Sequence, residues 1–169
     1  MCIRDRFRNY FINEMHERRI TKKYTAIVSG STIGSFPIDA AIGRDKNNRT
    51  KMCIRLDGKE AITFVKLKEK IGNYSVLDVT IETGRTHQIR VHLASKKLPI
   101  IGDRTYDAGK TIAKGSSKEL IAVIRGFSRT ALHARLLSFV CNKSGEELSF
   151  EIPTPSDMQN LVVDIKNHT

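Results

Sequence analysis

Glu82-Thr83-Gly84-Arg85-Thr86-His87-Gln88-Ile89-Arg90-Val91-His92, continued by Leu93 and Ala94, gathers two arginines, two histidines, a glutamine and two threonines around one glycine. Arg85 and Arg90 each carry five N–H donors in a planar fork that fits carboxylate or phosphate oxygens, while Gln88 and the histidines both donate and accept. Such side chains suit a site that holds a polyanion and reads a base. Periodicity leaves the conformation open. His87, Ile89, Val91 and Leu93 alternate with polar residues as in a half-buried strand, yet Ile89 and Leu93 at i,i+4 behind Thr86 as N-cap describe a helix. We expect the helix, starting near Thr86. Gly84 would then give the sharp turn out of the preceding strand, and the helix N-terminus would face a bound anion.

Residues 75–82, just before this run, read as the clearest strand, with Leu77, Val79 and Ile81 on one face and Val76, Asp78, Thr80 and Glu82 on the other. Further upstream, residues 51–56 and 61–68 predict two strands joined across the Asp57-Gly58-Lys59 turn. Residues 34–48, punctuated by Pro37 and Gly43, predict loop. The basic stretch 44–51 suits contact with RNA backbone and equally suits a solvated connection. Residues 24–28 form a strand ended by Ser29-Gly30, preceded by a helix whose stripe is Phe7, Tyr10, Phe11 and Met15 and which packs on the sheet. Downstream, residues 98–115 read as loop with Pro99, Gly102 and Gly109, and residues 120–124 as strand or short helix. Residues 132–140 and 146–152 make a hairpin about Asn142-Lys143-Ser144-Gly145. Pro155-Ser156-Asp157 opens a last helix carrying Met158, Leu161, Val162 and Ile165. The fold class is α+β, with a mixed, mostly antiparallel sheet and flanking helices.

The chain's 169 residues fit one domain. Its 29 Lys+Arg against 18 Asp+Glu give a net charge of +11 and a pI near 9.8, which favours an acidic partner, nucleic acid first. Cys2, Cys53 and Cys141 are scattered without CxxC spacing, which argues against a disulfide framework and a zinc knuckle and for a reducing cytoplasm. His87 and His92 lack the i,i+4 spacing of a helical metal pair, and no metal is expected. No apolar stretch approaches membrane-spanning length, and the chain start lacks the apolar core of a signal peptide.

The opening run, followed by Leu98-Pro99-Ile100-Ile101-Gly102-Asp103 and Tyr106, closely resembles the signature of the RluA-type family of RNA pseudouridine synthases. Lys23-Tyr24-Thr25-Ala26-Ile27-Val28-Ser29-Gly30 resembles the family's Lys-x-Tyr-x-Ala-x-Val-x-Gly element, with Lys22 or Lys23 as the basic residue. Ala131-Leu132-His133-Ala134, then Glu147-Leu148-Ser149-Phe150 and Pro153-Thr154-Pro155, resembles its closing hairpin. The resemblance runs in order from about Phe7 to Ile165.

This resemblance implies a pseudouridine-synthase catalytic-domain-like fold split by an RNA-binding cleft, isomerisation of uridine in ribosomal or transfer RNA, and no cofactor or metal. It implies Tyr24 as the active-site tyrosine that stacks on the flipped uracil and serves proton transfer, and Arg85 as the partner of a catalytic aspartate. Lys22, Lys23, Arg85, His87, Gln88 and Arg90 are the candidate RNA-binding or site-supporting residues. The family's aspartate stands in a His-Arg-Leu-Asp segment upstream of the tyrosine element, and nothing of that kind precedes Tyr24. Asp57 in Arg55-Leu56-Asp57 mimics it but is followed by Gly58-Lys59 and reads as a turn residue. Asp5 lacks supporting context. The expectation is therefore a domain truncated at its N-terminus, with residues 1–6 unmatched and residues 7–169 a partial catalytic domain, monomeric and inactive on its own. A non-catalytic basic RNA-binding module of the same fold is the alternative.

Overall fold

The computed structural model describes residues 3–107, 111–113, 115–141 and 144–169, with side chains from residue 6 onward. Cys2, Gly109 and the Asn142-Lys143 part of the expected turn lie outside the described residues. The elements run α1 (Ile3–His16), β1 (Thr21–Ser29), β2 (Ser35–Asp39), β3 (Ile42–Arg44), β4 (Met52–Ile54), β5 (Ile62–Ile71), β6 (Tyr74–Ile81), α2 (Gln88–Ser95), α3 (Lys118–Gly126), β7 (Leu132–Val140), β8 (Glu147–Glu151) and α4 (Ser156–Asn167). Six strands pair in the order β2-β5-β6-β1-β7-β8, and β3 with β4 forms a separate ribbon. All these pairings are antiparallel. The architecture is α+β, as the alternation of apolar residues predicts.

β1 and β6 lie side by side at the centre because both carry apolar residues on both faces: Ala26, Ile27, Val28, Val76, Leu77 and Val79 are all buried. Ile89 and Leu93 of α2 and Met158, Leu161 and Ile165 of α4 complete the core. Each such aliphatic side chain contributes roughly 1.5–3 kcal/mol on burial. Gly30 ends β1 at φ 108°, and a Cβ there would stand 2.9 Å from Leu98 Cδ2, so glycine is required at this turn.

Two expectations change, and one left open is settled. Residues 51–68 do not form one hairpin: β4 pairs with β3, whereas β5 pairs with β2 and β6. The Asp57-Gly58 turn instead returns the chain to a bridge between Ile42 and Lys59. Residues 34–48 hold two strands where loop was expected. Pro37 is tolerated because β2 is the sheet's edge, where a missing N–H breaks no ladder. Residues 120–124, open between strand and short helix, are helical, within α3, whose N-cap Ser117 accepts the Leu120 N–H at 3.1 Å. α1 packs on the sheet as expected, at β7: Phe7 and Phe11 contact Phe139, while Phe7 and Met15 stay nearly half exposed.

Candidate active site

β1 and β6 set the geometry, because their register pairs Lys22 with Ile81 and Tyr24 with Val79, and the chain leaves Ile81 straight into the segment that carries Arg85. Lys22 and Tyr24 lie on one face of the sheet, roughly 7 Å apart along the strand. A cleft of about 260 Å³ opens there between α1 and residues 82–85, with Met15, Arg18, Lys22, Glu82 and Arg85 among its walls. Arg85 Nε donates to Glu60 O at 2.9 Å, and its terminal nitrogens find no acceptor among the described residues. Lys22 likewise has no anionic partner there. Burial, and then the charge of Arg85, lower the Lys22 pKa. Two unpaired cations facing one cleft make a site for an anionic oxygen.

Tyr24 is half-buried against the core, and its hydroxyl has no hydrogen-bond partner among the described residues. Burial raises its pKa, so the phenol stays protonated near neutral pH.

The segment between β6 and α2 is held by a buried network rather than by a helix cap. Gln88, 3% exposed, accepts the Thr83 hydroxyl at 2.8 Å and the Arg85 N–H at 3.0 Å through Oε1. Its Nε2 donates to Ile62 O at 2.9 Å and to Thr63 Oγ1 at 3.0 Å. The chain of bonds continues from Thr63 to His92 Nδ1 at 2.9 Å and from His92 Nε2 to Ala40 O at 2.9 Å. The carbonyl can only accept, so His92 is protonated on Nε2 and takes the Thr63 proton on Nδ1.

The helix starts later than expected. α2 begins at Gln88, and its N-cap is His87 in the left-handed region at φ 57°, with no side-chain cap. His87 Nδ1 meets the Tyr106 hydroxyl at 2.8 Å. Burial, then Arg90, push the His87 pKa down against a smaller opposing pull from Asp103. Gly84 also differs from expectation. Its φ is not positive, and a Cβ would meet only Lys22 Nζ, at 3.9 Å. That is an ordinary van der Waals contact, so neither backbone conformation nor space requires glycine here.

The structure thus sorts the expected residues. Lys22 and Arg85 share a cleft, with Tyr24 next along the same sheet face. Lys23 points to the opposite face, lining a different cleft with Asp78 and Arg135. Gln88, expected to contact RNA or to support the site, has all of its polar atoms in internal hydrogen bonds, one of them to the Arg85 N–H. Arg90 is likewise turned inward, in a two-pronged pair with Asp103 at 2.7 and 2.6 Å and over the Tyr106 ring. Burial alone would raise the Asp103 pKa, but Arg90 and the N–H groups of Thr105 and Tyr106 bring it below its ordinary value. Asp57 lines a cleft of about 500 Å³ with Arg85, yet its carboxylate is taken by Arg55. Sequence reasoning missed Asp103 and Thr63, the acceptors that turn the signature's polar residues inward. Among the described residues no cluster of histidine, cysteine or acidic groups could hold a metal ion, and no helix is long and apolar enough to cross a membrane.

The RNA pseudouridylate synthase family model matches residues 4–95. Ribosomal large subunit pseudouridine synthase D of Xanthomonas campestris pv. campestris is 40% identical over 151 residues, covering 89% of this chain and 46% of that protein. The protein of that name from Vibrio cholerae is 39% identical over 155 residues, covering 92% and 48%. This chain spans about half the length of these curated relatives. Among solved structures, human RNA Pseudouridylate Synthase Domain Containing 1 superposes with a TM-score of 0.68 at 27% identity, over 85% of this chain and 58% of that one. Human RNA Pseudouridylate Synthase Domain Containing 4 gives 0.71 at 22% identity, over 94% and 67%, a likeness of fold. With the family model matching more than half of the chain and the relatives aligning along nearly all of it, the chain belongs to the RNA pseudouridylate synthase family, in keeping with its RluA-type signature.

Proposed function

We propose that this chain carries the tyrosine and arginine of an RNA pseudouridine synthase site, acting on uridine in RNA of the large ribosomal subunit. The carrying observation is the cleft in which Lys22 and Arg85 stand without an anionic partner, beside Tyr24 on the same sheet face. The names of the Xanthomonas and Vibrio relatives support the ribosomal substrate over transfer RNA. In the reaction the N1–C1′ bond of uridine breaks, the uracil turns, and a C5–C1′ bond forms. The C5 proton leaves to solvent and N1 gains one. Arg85 holds an aspartate carboxylate ionised and oriented through paired charge-assisted hydrogen bonds. Tyr24, kept protonated by burial, stacks on the flipped base and serves proton transfer there. Lys22 draws the RNA backbone to the cleft. The protein acts as a cytoplasmic monomer without metal or cofactor.

One observation favours a second reading, a non-catalytic RNA-binding module: among the described residues no carboxylate is bound to Arg85. Tritium release from 5-tritiated uridine in RNA separates the two. The 169-residue chain alone is expected to release none. The same chain joined to a His-Arg-Leu-Asp segment of the family should turn over, to lose orders of magnitude in rate in Arg85→Lys with little change in RNA affinity, and to be unaffected by Asp57→Asn. A joined chain that binds RNA but stays inert favours the module. Turnover by the chain alone, or its loss in Asp57→Asn, would overturn the residue assignment.

A further inference from the structure

Four buried side-chain atoms lack a hydrogen-bond partner among the described residues: Thr25 Oγ1, Asp78 Oδ1, His133 Nε2 and Arg135 Nε. All four fall on one patch of the sheet. Thr25 pairs in register with Asp78 on one side and His133 on the other, and Arg135 is the extra residue of the β7 bulge between Ala134 and Leu136. Thr25 is only 2% exposed. An unpaired buried polar group is costly, and the four cluster beneath the Asp78 and Arg135 side chains, which are themselves 30% and 23% exposed and leave polar atoms short of partners at the surface.

The patch lies on the sheet face opposite Lys22, at a cleft of about 440 Å³ that Lys23, Phe64, Lys66, Asp78 and Arg135 help to line. Phe64 presents an aromatic ring that is 43% exposed, in the middle of a strand whose neighbours Val65 and Thr63 are buried. Lys23 and Lys66 have no acidic partner among the described residues, and Arg135 shares its charge between Glu151 at 2.6 Å and Asp78 at 3.7 Å. A stacking ring, spare cations and a recessed set of mixed donors and acceptors are together what a nucleotide needs for its base face, its phosphate and its base edge. A neutral or basic polypeptide segment would use the polar groups but has no call on the excess positive charge, and an acidic one would leave the exposed aromatic ring without a stacking partner.

We propose that this patch is a second RNA-binding site, taking one unstacked nucleotide of a single-stranded segment: its base on Phe64, its phosphates on Lys23 and Lys66, and its base edge at Asp78 and Arg135. The proposal rests on the reading of the chain as an RNA-binding protein and adds a surface separate from the Lys22–Arg85 cleft.

The test uses the 169-residue chain and a fluorescein-labelled single-stranded RNA ten-mer at low salt, read by anisotropy, together with ultraviolet cross-linking of a 4-thiouridine version mapped by mass spectrometry. Expected are a cross-link on the peptide bearing Phe64 that persists in Arg85→Ala, and an affinity loss of about tenfold in Phe64→Leu. Lys66→Glu, an exposed change that leaves the core alone, should weaken binding as well, with unchanged circular dichroism and thermal midpoint. Cross-links confined to peptides bearing Lys22 and Arg85, with Phe64→Leu and Lys66→Glu binding as the unmodified chain does, would overturn the second site while leaving the RNA-binding reading standing. No binding by the folded chain at low salt would overturn both. A self-association in sedimentation that Phe64→Leu abolishes, without RNA affinity at this face, would assign the patch to protein contact and overturn the proposal.

Discussion

Gln88 shows how much one side chain can decide. Its amide links the end of β6, the start of β5 and the Arg85 backbone, and all of these bonds are made in the interior. Leucine has similar bulk but would strand the Thr83 hydroxyl proton and the Arg85 N–H, while the Ile62 carbonyl would keep the Glu82 N–H at 3.2 Å. At about 1–3 kcal/mol for each buried group left unpaired, partly offset by relaxation, Gln88→Leu should cost about 2 kcal/mol or more. Urea unfolding checks this: a lowered midpoint with unchanged slope is expected, and a midpoint within error of the unmodified chain would contradict the network. The same residue explains why a helix N-cap by Thr86 was unnecessary. The side chain three residues after Arg85 reaches back to the Arg85 N–H and fixes the turn from inside the protein.

At the scale of the element, α2 is seated by one face of apolar residues and by two polar anchors, His92 to Thr63 and Ala40, and Arg90 to Asp103. His92 is fully buried, and burial lowers its pKa below the ordinary histidine value. In the unfolded chain it would titrate near an ordinary value of about 6.5, so on acidification the unfolded state takes up the proton first. Stability is therefore fully present above that value and falls as pH drops through it toward the lower folded pKa. His87, lowered in the same direction by burial and Arg90, adds to the effect. Unfolding midpoints measured from pH 7.5 to pH 5.5 should decline, and His92→Gln should flatten the decline even if it lowers the midpoint overall. A slope unchanged by that substitution would remove His92 as its source. The β5 strand that receives α2 was misjoined in the sequence reading because Asp57-Gly58 is a sound turn signal. Turn chemistry says where a chain reverses, but only packing selects the strand it reverses onto.

For the molecule as a whole, the proposed function makes the net charge of +11 the driver of encounter with RNA. Binding that neutralises phosphates releases counterions, so affinity should fall linearly with log salt, with a slope that reports the number of phosphate contacts. Lys22→Ala, which removes one unpaired cation of the cleft, should reduce that slope by about one and weaken binding to all RNA sequences alike. Filter binding between 50 and 200 mM salt, concentrations over which such electrostatic binding changes by orders of magnitude, checks both points. An affinity insensitive to salt would mean that charge does not drive the association.

The sequence by itself determined the α+β class, the central strands, the closing hairpin and last helix, and the family signature. Each is written as local periodicity, turn chemistry or ordered motif, and local patterns survive whatever the rest of the chain does. It also held the opposition of Lys22 and Lys23, since neighbours on a strand face opposite ways. Only the tertiary structure decided which polar residues of the signature face the cleft and solvent and which face inward. Gln88, Arg90 and His92 meet partners 25, 13 and 29 residues away in Thr63, Asp103 and again Thr63. A polar side chain carries no local mark of its acceptor. The same letters read as a solvent-facing anion site or as an interior clamp until the fold brings the acceptor to them, and the high cost of leaving a buried donor unpaired then admits one arrangement.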